Sequence, residues 1–274
     1  MFSLLSSLPP LRDVIARHDL MAKKKLGQHF LCDLNLTRRI VASAGDLQGR
    51  HVFEIGPGPG GLTRALLESD AASVTAIEMD PRCVAALADV VQASAGRLRL
   101  IEGDALEVDL PTLAPAPRCV VANLPYNVGS VMLLNWLRQI DAFESLTLMF
   151  QAEVVDRLTA TPHSKNYGRL SVITQFCCEA KRVMDIPARA FTPPPKVDSA
   201  VVHLTPRKNR PADVSFAALE KVTAAAFGQR RKMLRSSLRP LGGEELLRRA
   251  DIDPTLRAEN LSVADFERLV RAVG

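Results

Sequence analysis

Asn123-Leu124-Pro125-Tyr126 places an amide, a peptide carbonyl, a proline and an aromatic ring in direct succession. The exocyclic amine of a nucleobase is a feeble nucleophile, because its lone pair is delocalised into the ring. A carboxamide oxygen on Asn123 and the carbonyl of Leu124 can accept its two hydrogens, favouring a pyramidal nitrogen with the lone pair aimed at an electrophile. Pro125 stiffens the chain that presents the carbonyl, and Tyr126 offers a face for the base to stack on. No general base is needed in the attacking step, since the amine's proton becomes very acidic once an alkyl group has transferred. Positioning and charge environment then carry the rate. A base held in a helix has to be unstacked before it enters such a site.

The electrophile is indicated upstream. "EIGPGPGG" satisfies G-x-G-x-x-G through Gly56, Gly58 and Gly61, a turn that brings backbone close to a ligand at a helix N-terminus. Dinucleotide enzymes share that pattern, so it leaves a nicotinamide oxidoreductase open. The carboxylates decide between them. Glu54 precedes the first glycine, where it suits an ammonium better than a pyrophosphate. Glu78 ends the next strand, the place for ribose hydroxyls, and Asp104 follows the third, suited to an adenine amine. Three acids at successive strand ends are a poor home for phosphates and fit S-adenosylmethionine, which has a sulfonium, an ammonium, a ribose and an adenine.

The elements that must hold these groups alternate. Strands are expected at 51–55, 73–79, from Leu98, from Arg118 and at 145–151, with helices between them, "PRCVAALADVVQAS" read as one helix with Pro81 in its first turn. Such alternation implies crossover connections and a parallel, Rossmann-like α/β sheet with helices on both faces, binding at the carboxyl ends of its strands. A helix from Ala152, another from Arg169, a strand near "AKRVMDI", the segment "FTPPPKVDS" and a last strand "AVVHLTP" follow. After Pro206 the texture becomes charged, breaker-rich and then wholly helical, which puts a boundary near Arg207. The expected organisation is an N-terminal extension (1–22), a catalytic domain (23–206) and a smaller all-α domain (207–274).

Charge is distributed unevenly. The net charge is +5, with basic ends (+4 over 1–50, +5 over 207–274) bracketing an acidic middle (−4 over 51–206). That suits a small cationic ligand at the centre and a polyanion at the flanks. "KKKLGQ" (23–28) and "QRRKMLRSSLR" (229–239) are the densest clusters, and on a helix Arg231, Arg235 and Arg239 share a face. Five cysteines without C-x-x-C and five scattered histidines signal neither a disulfide framework nor a metal site. No apolar run approaches the roughly 20 residues that span a bilayer. Residues 1–20 lack a basic leader before their apolar patch, and Asp13 and Asp19 count against an organelle-targeting helix, so a solvated surface extension in a cytoplasmic protein is expected. Met21 is an alternative start.

From Lys25 onward, "LGQHFL", "EIGPGPGGLT", "IEMD", "GDAL", "NLPYNV", "QAEVVDRL", "YGRLSV", "FTPPPKVDSAVV" and "AFGQRRKMLRSSL" together resemble the small-subunit rRNA adenine-N6 dimethyltransferases of bacteria, the kasugamycin-sensitivity family. The resemblance implies N6,N6-dimethylation of two adjacent adenines near the 3′ end of 16S rRNA in the assembling 30S subunit, with S-adenosylmethionine as cofactor; a monomer without a metal is expected. It carries cofactor contacts over to His29, Leu31, Gly56, Gly58, Glu78, Asp104 and Asn123. His29 stands where the family often has Asn. It also makes Phe191 a second stacking ring, opposite Tyr126 on the adenine, with Pro193 to Pro195 holding that loop extended. Lys23, Lys24, Lys25, Arg230, Arg231, Lys232 and Arg235 are the implied RNA contacts. A resistance-type methyltransferase of large-subunit rRNA shares the core, although the two C-terminal motifs point away from it. A non-catalytic assembly factor is the alternative from another class.

Overall fold

A computed structural model describes residues 5–20 and 29–273. Lys23, Lys24 and Lys25 lie outside the described residues. Helix α1 (Leu11–Arg17) is followed by β1 (Phe30–Leu31) and α2 (Leu34–Ala42). The alternating region runs β2 (His51–Ile55), α3 (Gly61–Glu68), β3 (Ser73–Glu78), α4 (Pro81–Ala86), α5 (Ala88–Ala93), β4 (Leu98–Glu102), β5 (Arg118–Asn123), α6 (Gly129–Arg138) and β6 (Ser145–Gln151). Then come α7 (Ala152–Leu158), α8 (Arg169–Cys177), β7 (Cys178–Ile186), β8 (Phe191–Thr192), β9 (Ser199–Pro206), and helices α9 (Phe216–Phe227), α10 (Leu234–Ser237), α11 (Gly243–Arg249) and α12 (Val263–Val273).

Seven strands form one sheet in the order β4-β3-β2-β5-β6-β9-β7. β4, β3, β2, β5 and β6 pair in parallel, and β9 pairs antiparallel with β6. The expected Rossmann-like sheet is therefore present. Its inner strands are buried on both faces, as in Val52-Phe53-Glu54-Ile55 and Ser145 to Phe150, because crossover helices cover each side. Chain order reverses between β2 and β5, which opens a crevice at their carboxyl ends.

The described residues up to Ala152, with Lys181–Thr205, form one compact unit, and Glu153–Ala180 with the residues from Pro206 form a second. Thus α7 and α8, which lie between strands in the sequence, group with the C-terminal helices. In that second unit α8, α9 and α12 enclose Leu219, Val222, Phe266 and Leu269, and Phe227 stacks on Phe266 with ring centroids 5.6 Å apart.

Three sequence expectations need correction. The single helix expected from Pro81 breaks at Leu87 into α4 and α5. At the break Leu87 is wholly buried, and its Cδ2 lies only 2.8 Å from where a side chain on Gly60 would begin. Residues 5–20 are no solvated extension. Leu11, Val14 and Leu20 are buried, Val14 and Leu20 in a cluster with Phe30, Cys83 and Ala86, while Arg64 and Arg82 donate to the carbonyls of Pro9 and Asp19. The stretch "RRKMLRSSL" is not one helix either, because α10 starts only at Leu234. The N–H groups of Leu234 and Arg235 donate to Leu256 and Pro254, so the acceptors that a helix begun at Arg231 would supply are replaced. Arg231, Arg235 and Arg239 consequently share no helix face.

Candidate active site

The crevice holds a cavity of about 300 Å³ bordered by the carboxyl ends of β2, β3 and β5. The turn after β2 forms its floor. Gly58 has φ +56°, a left-handed conformation, and its N–H donates to Glu78 Oε2 at 3.0 Å. A methyl on Gly61 would come within 2.4 Å of the Leu31 carbonyl, so β1 can lie across the start of α3 only because that residue has no side chain.

Each expected acid has a distinct environment. Glu54 is fully buried and borders the cavity, and its Oε2 has no hydrogen-bond partner. Burial, reinforced by nearby Glu78, pushes its pKa up to about 8. Thr63 hydrogen-bonds to the carboxyl and offsets part of that rise, and the unpartnered Oε2 of a buried acid bordering a cavity is matched by a ligand cation. Glu78 is also raised by burial, but its oxygens accept from the N–H groups of Gly58 and Asp80, which fixes its orientation and leaves lone pairs for a ligand's hydroxyls. Asp104 is half-buried on the cavity wall, with Oδ1 accepting from Leu106 N–H. The set fits S-adenosylmethionine: a lone acid for its ammonium, a fixed acid for its ribose, a third for its base, and glycines where bulk would intrude.

Asn123, Leu124, Pro125 and Tyr126 border the same cavity from the end of β5. Asn123 Nδ2 donates to the His29 carbonyl at 3.3 Å. A carbonyl only accepts, so this contact takes the donating Nδ2 end of the amide and leaves Oδ1 as its acceptor end. The Pro125 carbonyl accepts from Gly129 N–H at 2.9 Å, curling the segment into the first turn of α6. Tyr126 Oη and Ser199 Oγ lie 2.7 Å apart, tying the ring to β9.

Antiparallel pairing of β1 with β8 sets Phe30 opposite Thr192 and Leu31 opposite Phe191, joining two sequence-distant motifs. His29 stacks on Tyr126 (centroids 5.6 Å, planes 29° apart), meets Phe191 edge-on at 6.4 Å, and has Nδ1 2.8 Å from the Pro193 carbonyl. Phe191 itself is only 3% exposed.

Residues 20–273 match the family model described as ribosomal RNA adenine dimethylase. The chain belongs to that family. It is 58% identical over 270 residues, 98% of this chain and 96% of the other, to the ribosomal RNA small subunit methyltransferase A of Paramagnetospirillum magneticum. It is likewise 58% identical over 266 residues to the protein of that name from Rhizobium etli, covering 96% of each. Among solved structures, a dimethyladenosine transferase from Plasmodium falciparum superposes with a TM-score of 0.77 at 26% identity, covering 88% of this chain and 96% of that one. The 23S rRNA methyltransferase ErmE gives 0.69 at 26% identity, covering 89% and 99%.

Sequence reading missed two supports of the dimethylase motif. Ser199 is buried, and only its own motif, "KVDSAVV", could have flagged it. At Gly129 a methyl would lie 3.1 Å from Leu124 Cβ and 3.0 Å from the Phe150 ring, so this glycine lets α6 start directly beneath the loop. Of the basic candidates, Arg231, Lys232 and Arg235 are exposed. Arg230 is exposed but engaged, donating to the carbonyls of Lys165 and Tyr167.

Proposed function

We propose that this protein transfers methyl groups to N6 of two adjacent adenines near the 3′ end of 16S rRNA, converting each to N6,N6-dimethyladenine in the assembling small subunit. The observation that carries this reading is that Asn123, whose Nδ2 donates to the His29 carbonyl, borders the same cavity as Glu54, a buried acid whose Oε2 has no hydrogen-bond partner. Glu54, Glu78, Asp104 and the turn at Gly56 to Gly58 hold the methyl donor, with Leu31 beside them. S-adenosylmethionine, when bound, supplies an electrophilic methyl group.

The chain's own groups position the acceptor. Asn123 Oδ1 and the Leu124 carbonyl take the two amine hydrogens, and Pro125 restrains that carbonyl. Tyr126 stacks on the flipped base, and Phe191 closes on its other face. A first methylation leaves one N–H on the amine, enough for one of the two acceptors, so a second transfer at the same nitrogen remains geometrically supported. The helical residues from Arg207, with the basic segment 23–25, hold rRNA phosphates, which fixes register without reading sequence.

The test is methyl incorporation into small subunits that lack the modification, followed by mass mapping of the product. Dimethyladenine at two neighbouring 16S positions supports the reading. Modification of large-subunit rRNA, or none with fresh protein and cofactor, overturns it.

A further inference from the structure

On the proposed reading, a flipped adenine lies between the faces of Tyr126 and Phe191. The imidazole of His29 lies against both of these rings, stacked on Tyr126 at 5.6 Å and edge-on to Phe191 at 6.4 Å. With the imidazole there, Phe191 is buried and the cavity is bordered by His29 and Tyr126. We propose that the His29 side chain is a gate for the substrate base, filling the stacking slot when RNA is absent and swinging out when an adenine enters.

Its attachments suit that role. Among the described residues the ring is held by a hydrogen bond from Nδ1 to the Pro193 carbonyl at 2.8 Å, together with its stacking contacts. A purine presents a larger aromatic face to Tyr126 than an imidazole does, and so displaces it. The backbone is anchored separately: Phe30 and Leu31 pair with β8, and the His29 carbonyl accepts from Asn123. Rotation about the side-chain torsions thus clears the slot without releasing the amide that receives the substrate. A small base that stacks weakly, such as uracil, gains less than adenine from evicting the ring, so the gate also favours purines.

A closed gate lowers apparent affinity by the fraction of time it is open. If the open state is populated at roughly 10–30%, removing the ring lowers KM for unmethylated small subunits about three- to tenfold. Kinetics with His29→Ala and His29→Phe test this, because the two substitutions should act in opposite directions. Ala empties the slot and lowers KM for subunits, whereas Phe fills it more tightly and raises KM. A purely structural role would raise KM in both and lower Tm in both, which overturns the gate. The native protein gives a variant-free measurement. The His29 Cε1–H resonance, shifted by the Tyr126 ring, should move to an unstacked position with a hairpin RNA carrying two adjacent loop adenines, and stay with a uridine copy. An unmoved resonance at saturation overturns the gate. If the native protein methylates subunits and these results fail, the gate alone is wrong; if it methylates nothing, the reading beneath it falls as well.

Discussion

At the residue scale the decisive atoms are those whose partners leave no freedom. Asn123 Nδ2 is held by the His29 carbonyl, so on the proposed reading truncating the side chain removes an acceptor for the substrate amine. Asn123→Ala should lower kcat about 10²- to 10³-fold, of the order seen when one aimed transition-state hydrogen bond is removed, while subunit binding persists. Glu54 gives a pH signature. Its folded pKa of about 8 lies above its ordinary 4.5, so the folded state holds the extra proton between those values. Its contribution to stability is therefore greatest below pH 4.5, weakens as pH rises towards 8, and is level above. An ammonium ligand favours the carboxylate, so calorimetry near neutral pH in buffers of different ionisation enthalpy should show about one more proton released by the native chain than by Glu54→Gln. Asn123, Tyr126 and the three acids could be singled out in the sequence by residue type and position at strand ends, and all five border one cavity. Ser199 and Gly129 were not, since a buried serine and a helix-opening glycine acquire meaning only from what a distant element places against them.

The same logic governs the elements. The long strands were readable because buried crossover strands appear as apolar runs ended by glycine, acid or proline. β1 and β8 were not, because a two-residue strand has no period, and their pairing is what carries His29 and Phe191 to the site. Helix α10 misled for a related reason: propensity favours a helix from Arg231, but Leu256 and Pro254 accept from its first N–H groups. The fit of β1 against α3 is directly testable. Gly61→Ala sets a methyl 2.4 Å from the Leu31 carbonyl, a backbone atom that moves only with its strand. The substitution should cost about 1–3 kcal/mol by denaturant unfolding, as overpacking does, and raise KM for the methyl donor, because β1 borders the cofactor cavity.

At the scale of the whole molecule, the parallel sheet and the helical C-terminal region were both anticipated, whereas the membership of Glu153–Ala180 in the second unit was not visible. Helices between two strands read as crossovers, and only nonlocal packing of α8 on α9 and α12 assigns them otherwise. The basic residues separate in the same way. Loss of Arg231 and Lys232 together should reduce the salt dependence of subunit binding by about one to two in log–log slope, as expected for two phosphate contacts. Arg230→Ala should instead lower Tm, since its guanidinium holds the carbonyls of Lys165 and Tyr167.

The most direct test of the central claim is position-resolved mass analysis of 16S rRNA after unmethylated small subunits are incubated with S-adenosylmethionine and either the native or the Asn123→Ala protein. Dimethyladenine is expected at two adjacent positions with the native protein and, within the same time, at neither with the variant, although both bind subunits. Full dimethylation by Asn123→Ala, or methyl groups on any other atom, would contradict it.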